Sequence, residues 1–322
     1  MAQTSTPTQA GSTMGWGFGV SLVTAIAPIT WGSTYYVTQA YLPADRPLFS
    51  ATVRALPIGL AMIAVTRRLP TGRWWWRALA LGSLTIGGFF VLLFITAQRL
   101  PSGVASTLMA TSPAVIMLLA WAMIGERPRT RGLIGAAVGF VGVGLLVLGD
   151  DLGLDPVGVL TSFAAMLLSS IGFVLTKRWR PPVSMITLAG WQLTAGGLTL
   201  LPFAWWLEGA PPPLDLRTVI AFGYFSAIAT GLAYVVWLRG LQHLEAGTVA
   251  LIGLLNPVTG ALLGVLLAGE HFGPLQLLGM VAVLTGVMAG QPSLRSGWRR
   301  RGSGPPQARP GPPEGRPRGA DA

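Results

Sequence analysis

The sequence predicts an all-α polytopic membrane protein: ten transmembrane helices arranged as two inverted five-helix repeats. Two observations lead there. Charged residues make up only 10% of the chain, hydrophobic ones 52%, and the mean hydropathy is +0.60, whereas a soluble protein carries about 25% charged residues. The chain also repeats itself. Residues 98–143 and 242–287 align without a gap, pairing Gln98 with Gln242, Gly103 with Gly247, Pro113 with Pro257, Glu126 with Glu270, Gly135 with Gly279 and Gly142 with Gly286. Every pair stands 144 residues apart. Apolar coincidences are common between membrane segments, but matched Pro, Gly, Glu and Gln at one fixed offset mark a duplication.

Taken in order, residues 1–14 are mostly Thr, Ser, Ala and Gly without a basic region, so a disordered cytoplasmic N-terminus is expected and no removable signal peptide. A helix needs about 20 apolar residues to cross a hydrocarbon core of about 30 Å. The first copy, 15–149, supplies such runs at 16–39, 48–67, 75–97, 104–124 and 131–149. The second copy, 150–290, supplies them at 156–176, 183–206, 217–238, 246–268 and 274–290. Lipid offers the backbone no hydrogen-bond partner, so each crossing is a helix or part of a closed barrel. Apolar runs without a period of two select helices. The tail, 291–322, is Pro, Gly and Arg with little to bury and is expected to be disordered. Its Arg295–Arg301 cluster suits anionic headgroups or serves as a topology anchor.

Orientation follows from alternate connections. One set holds Arg67, Arg68, Arg73 and Arg77, then Arg127, Arg129 and Arg131, then Lys177, Arg178 and Arg180, then Arg239 and the basic tail. The other holds only Arg46, Arg99 and Arg217, with Asp150, Asp151 and Asp155 making one connection acidic. Basic connections stay inside, which puts both termini in the cytoplasm of an inner (plasma) membrane protein. Five crossings per copy is an odd number, so the second copy runs inverted, a recurrent construction of secondary transporters with a midplane site.

The net charge of +11 is accounted for by these topology clusters and the tail, so no nucleic-acid partner is expected. There is no Cys, and the two His, His243 and His271, fall in different loops, so neither thiolate chemistry nor a His-rich metal site is expected. Nothing resembles a phosphate loop, and no cofactor is expected.

Trp31, Gly32 and Ser33, then Pro47, Phe49 and Arg54, the run from Pro113 to Gly125 and Glu126, Trp191 with Gln192, and Pro257, Gly269, Glu270, Gly279 and Gly286 together resemble the drug/metabolite transporter superfamily, in its EamA-type ten-helix branch. The likeness spans about residues 16–290. It implies a central cavity lined by helices 1 to 4 and 6 to 9, with helices 5 and 10 peripheral, and export of amino acids, other metabolites or toxic compounds.

Candidate substrate-binding residues are hydroxyls and aromatics placed within helices. Thr30, Trp31, Ser33, Thr34 and Tyr35 lie in helix 1, where positions 30, 33, 34 and 37 share a face. Ser169 and Ser170 lie in helix 6 at about the same depth, and Thr230, Tyr234 and Trp237 form one stripe of helix 8. Such groups hold a small amphipathic or aromatic solute by hydrogen bonds, stacking and cation–π contacts; Ser and Thr also serve as interhelical contacts. Pro113 and Pro257 interrupt their helices and free carbonyls beside Ser112 and Asn256, for a hinge, a cavity or packing. Arg54, the one charge inside a helix, either faces a partner or cavity, as a gating group, or snorkels outward toward Asp45. Glu126 and Glu270, each following Gly at a helix end, are candidates for proton coupling or for structural anchors, and their terminal position favours anchors. No carboxylate falls in mid-helix to couple protons. Gly135, Gly139, Gly142, Gly144, Gly260 and Gly264 read as close-packing positions, and Trp74, Trp75 and Trp76 as an interfacial belt.

The function expected is that of a secondary transporter moving a small metabolite, amino acid or drug-like solute by alternating access, as an exporter. Its partners are the small-molecule substrate and the lipid bilayer, with a homodimer left open. A channel-like facilitator or a non-transporting regulatory subunit is the alternative; an enzyme would need acid–base, metal-ligating or nucleophilic groups that the sequence does not assemble.

Overall fold

The computed structural model describes residues 11–128, 130–148, 154–244, 249 and 252–290. The expectations for residues 1–10 and for the tail from 291, including Arg295–Arg301, lie outside the described residues. Among the described residues all regular structure is helical, with no strand. We label the helices α1 (Gly11–Tyr41), α2 (Pro47–Thr66), α3 (Trp74–Arg99), α4 (Ser102–Ile124), α5 (Thr130–Leu148), α6 (Pro156–Trp179), α7 (Met185–Phe203), α8 (Leu216–His243), α9 (Leu255–Leu267) and α10 (Pro274–Gly290). Helices α2, α3, α4, α6 and α8 are each long and apolar enough to cross a membrane; apolar stretches of α5, α9 and α10 are shorter. Large apolar side chains such as Val65, Leu160, Trp206, Leu216 and Leu266 point outward, as a surface solvated by lipid requires.

Local chemistry sets the helix boundaries. Pro47 and Pro156 open α2 and α6 at the first turn, where no amide donor is missed. The Asp155 carboxylate accepts from the Val157 amide at 2.8 Å and from Arg99 at 2.6 Å. The Arg99 bond, followed by the Val157 amide, holds its carboxyl below the usual carboxylate range. Asp215 caps α8 by accepting from the Thr218 amide at 2.8 Å. Gly125 and Gly269 take φ of +72° and +68°, the left-handed conformation that ends a helix. The amides of Glu126 and Glu270 then donate back to Ala120 and Gly264 at 3.3 and 2.9 Å. Both Gly–Glu ends therefore share one turn.

Three further features recur at the same offset. The turns before Pro113 and Pro257 break α4 at Ala110–Thr111 and end the short helical piece ahead of α9 at Leu254. A π-helical segment, wound to i→i+5 bonds, interrupts α3 at Ser83–Gly88 and α8 at Tyr224–Leu232. The α-helical continuations, Phe89–Arg99 and Ala233–His243, coincide residue for residue at the 144 offset.

Packing interleaves the two copies. The first helix, α1, packs on α8 and α9 of the second copy, while α6 packs on α3 and α4 of the first. Equivalent helices meet each other: α2 lies along α7, and α5 along α10. Small residues set these distances, since a Cβ on Gly142 would collide with the carbonyl of Gly279, and one on Gly286 with that of Gly135. Gly32 does the same for α1 against the backbone of Asn256 in α9. The main core gathers Tyr35, Phe90, Phe94, Leu193 and Phe225 between α1, α2, α3, α7 and α8. At the end of α2, Trp191 donates from Nε1 to the Arg68 carbonyl at 2.7 Å, and Trp74 packs on it. Of the three tryptophans expected as a belt, Trp75 and Trp76 are exposed and Trp74 is buried.

Candidate substrate site

The polar centre of the molecule is built on Arg54, two turns into α2. It is 3% exposed and does not snorkel toward Asp45, because its neighbours hold it inside. Its Nε donates to Thr230 Oγ1 at 3.1 Å, and Nη2 to the Ala229 carbonyl at 3.5 Å. The guanidinium carbon lies 4.4 Å from the Phe90 ring centre, 5.0 Å from Phe225 and 5.8 Å from Phe94. The phenols of Tyr234, Tyr224 and Tyr35 are within electrostatic range of the charge. No carboxylate pairs with it: among the described residues the ion pairs are Arg99–Asp155 and Lys177–Glu126.

The π-helical segment of α8 makes this arrangement available. Its wider winding turns a carbonyl out of the regular ladder, so Ala229 receives both Arg54 Nη2 and the Trp31 indole, the latter at 3.1 Å. Ser226, one turn earlier, donates its hydroxyl to the carbonyls of Val53 and Arg54 at 2.7 and 3.2 Å. Helices α2 and α8 are thus joined side chain to backbone on both sides of the guanidinium. Ser33 of α1 bonds the Tyr224 hydroxyl at 2.6 Å. Trp31 meets Tyr234 and Trp237 edge to face at 6.2 and 5.3 Å, and all three rings stay partly exposed.

The structure therefore brings Trp31, Ser33, Tyr35, Arg54, Thr230, Tyr234 and Trp237 into one region. Thr30 is turned into its own helix, bonding the Ala27 carbonyl at 2.9 Å, and Thr34 is buried with no hydrogen-bond partner for its hydroxyl. Asn256 lies against Gly32, its side-chain oxygen buried and unpartnered. On α6, Ser169 bonds the Met166 carbonyl at 3.0 Å while the Ser170 hydroxyl has no partner. Pro113 is drawn away: with Thr111, Met117, Gly135, Phe140 and Gly286 it lines an apolar groove of about 210 Å³ between α4, α5 and α10. Ser112 opens the helical segment beside it and is half-buried, and Pro257 is buried.

Sequence reasoning missed Phe90, Phe94, Tyr224, Phe225 and Ser226, which complete the surroundings of Arg54. The repeat held a signal for one of them, because Phe90 and Tyr234 occupy equivalent positions, three residues after the matched Gly87 and Gly231. It also missed Glu208, whose two oxygens accept from the Leu48 and Phe49 amides at 2.7 and 2.8 Å and so cap α2.

The anchoring carboxylates sit at the ends of this assembly. Glu270 accepts from the Ser102 and Gly103 amides at 2.5 and 3.2 Å, closing the α9–α10 turn onto the start of α4. Glu126 instead pairs with Lys177 of α6 at 2.6 Å, its side chain 50% exposed.

Comparison with known proteins agrees with this architecture. A relative from Dickeya dadantii, protein PecM, is 36% identical over 264 residues, 81% of this chain and 89% of that protein. The uncharacterized inner membrane transporter YedA of Escherichia coli K12 is 26% identical, over 81% of this chain and 86% of that protein. A probable amino-acid metabolite efflux pump of Salmonella typhimurium is 28% identical, over 80% and 90%. One solved crystal structure shares the fold with a TM-score of 0.61 at 18% identity, covering 89% of this chain and 99% of that chain. The model of the EamA-like transporter family matches twice, at 17–148 and again at 156–289. Because each copy of the duplication is matched in turn, the chain belongs to the EamA-like transporter family and is a membrane transporter of small metabolites rather than an enzyme.

Proposed function

We propose that this transporter is a secondary carrier that exports its solute by alternating access, with ten membrane crossings in two inverted copies and the solute bound between α1, α2, α3 and α8. The observation that carries this reading is the unequal use of two equivalent carboxylates. Glu126 and Glu270 end matched helices in matched turns, yet Glu270 reaches across to the first amides of α4 while Glu126 pairs with Lys177. A pore with two identical ends would use both alike. A carrier at one end of its cycle uses them differently, because inverted copies exchange conformations as the opposite side opens.

The interleaved packing supports a particular division of moving parts. Helices α1, α8 and α9 pack together, as do α3, α4 and α6, while α4 also packs on α9, so the moving bodies mix helices of both copies rather than following the two sequence halves. Arg54 lies between them, touching α8 through Thr230 and α3 through Phe90. Export is the direction suggested by the name of the efflux-pump relative. The arginine clusters support a cytoplasmic position for both termini.

Purified protein in liposomes tests the mechanism. Uptake of labelled amino acids or metabolites is expected to saturate and to be accelerated by unlabelled solute inside. Flux that never saturates would make the protein a channel, and no flux for any metabolite a regulatory subunit; either result overturns the carrier.

A further inference from the structure

We propose that Arg54 binds an acidic group of the solute, so that this transporter selects carboxylate-bearing molecules and rejects their neutral and cationic analogues. The proposal rests on the carrier reading above and narrows its substrate class. It starts from a charge that the protein itself does not neutralise. Arg54 is 3% exposed and no carboxylate pairs with it among the described residues. Of its N–H groups, Nε is well bonded, Nη2 reaches Ala229 only at 3.5 Å, and Nη1 has no partner. A guanidinium presents five donors in a flat fork shaped for a carboxylate. Here at least one terminal nitrogen keeps its donors unused.

The surroundings fit the same occupant. Phe90, Phe225 and Phe94 meet the cation with ring faces and supply no competing acceptor. The phenols of Tyr35, Tyr224 and Tyr234 lie within electrostatic range of it and carry no fixed negative charge. Trp31, Tyr234 and Trp237, partly exposed and with Trp31 edge to face against the other two, provide an aromatic wall for the rest of the solute. An uncompensated positive charge repels lipophilic cations from the same place. The molecule that satisfies both features is an acid, zwitterionic or anionic, with an apolar or aromatic side chain.

Counterflow in liposomes with matched probes decides it: L-phenylalanine and phenylpyruvate against L-phenylalaninamide and phenethylamine. Wild type is expected to exchange the two acids at least about tenfold faster than the amide or amine, because a site built for a polar group discriminates against its absence. Arg54→Lys keeps the charge without the fork and is expected to retain acid exchange with a raised KM. Arg54→Gln, recovered from the membrane as a monodisperse protein, is expected to lose the acid preference. Equal exchange of acid and amide by wild type overturns the assignment while leaving the carrier standing, and so does an unchanged acid-to-amide ratio in Arg54→Gln. If Arg54→Gln does not fold, the wild-type ratio alone decides. Absence of exchange for all four probes overturns the assignment of an acid with an apolar or aromatic side chain and leaves the carrier standing as long as any other metabolite exchanges.

Discussion

Arg54 is the residue on which the energetics of the centre turn. Burying a charge costs several kcal/mol even after the protein relaxes. A desolvated cation–π contact returns about 2 kcal/mol, and a hydrogen bond to a charged group about 1.5–3 kcal/mol. The rings of Phe90 and Phe225 with the Thr230 hydroxyl therefore offset much of the cost. At the neighbouring aromatic wall, Tyr234→Ala and Trp237→Ala each remove a ring that Trp31 meets edge to face, an interaction of about 0.5–1.5 kcal/mol beyond the area lost. We expect either variant to lower transport about tenfold or more with normal insertion, measured as liposome uptake at matched protein content. Unchanged uptake in both would remove α8 from the site. Trp31, Tyr234 and Trp237 could be picked out in the sequence as aromatics among helical hydroxyls. Phe90 and Phe225 could not, because a phenylalanine in a membrane span looks the same whether it faces lipid or a cation.

At the scale of elements, the duplication preserves conformations as well as residues. The π-helical segments of α3 and α8 end at equivalent residues, and the two breaks ahead of proline and the left-handed turns at Gly125 and Gly269 fall at equivalent positions. The Gly and Pro signals were visible in the sequence, since both residue types restrict the backbone by their own covalent structure. The π-helical winding was not, because it depends on which carbonyls find partners on neighbouring helices: Ala229 holds Trp31 and Arg54. The Gly–Glu ends give a prediction in which equivalent residues behave unequally. Glu270→Ala strips two amides of α4 of their acceptor and is expected to cost about 0.5–2 kcal/mol, the range for losing a helix N-cap. Glu126→Ala breaks an exposed pair with Lys177 and is expected to cost no more than about 1 kcal/mol. Thermal unfolding in detergent compares them; a larger loss for Glu126→Ala would contradict the roles described here.

For the whole molecule, the proposed five crossings per copy would put the Glu126 and Glu270 turns on opposite faces of the membrane. The chain has no cysteine, so Arg127→Cys and His271→Cys each introduce a single reporter thiol. In right-side-out vesicles a membrane-impermeant maleimide is expected to label His271→Cys readily and Arg127→Cys only after the membrane is opened. Labelling of both from one side would end the inverted arrangement. By itself the sequence determined the helical class, the duplication, the family and the residues that punctuate the helices, because lipid imposes long apolar runs while Pro, Gly and charge act locally. Only the tertiary structure decided that α1 belongs with α8 and α9, that α6 belongs with α3 and α4, and that Arg54 is enclosed by phenylalanines. Those choices rest on side-chain fit between helices far apart in the chain, such as Gly32 against the Asn256 backbone. In a bilayer, where hydrophobicity does not distinguish one apolar face from another, close contact and polar pairing select the neighbours.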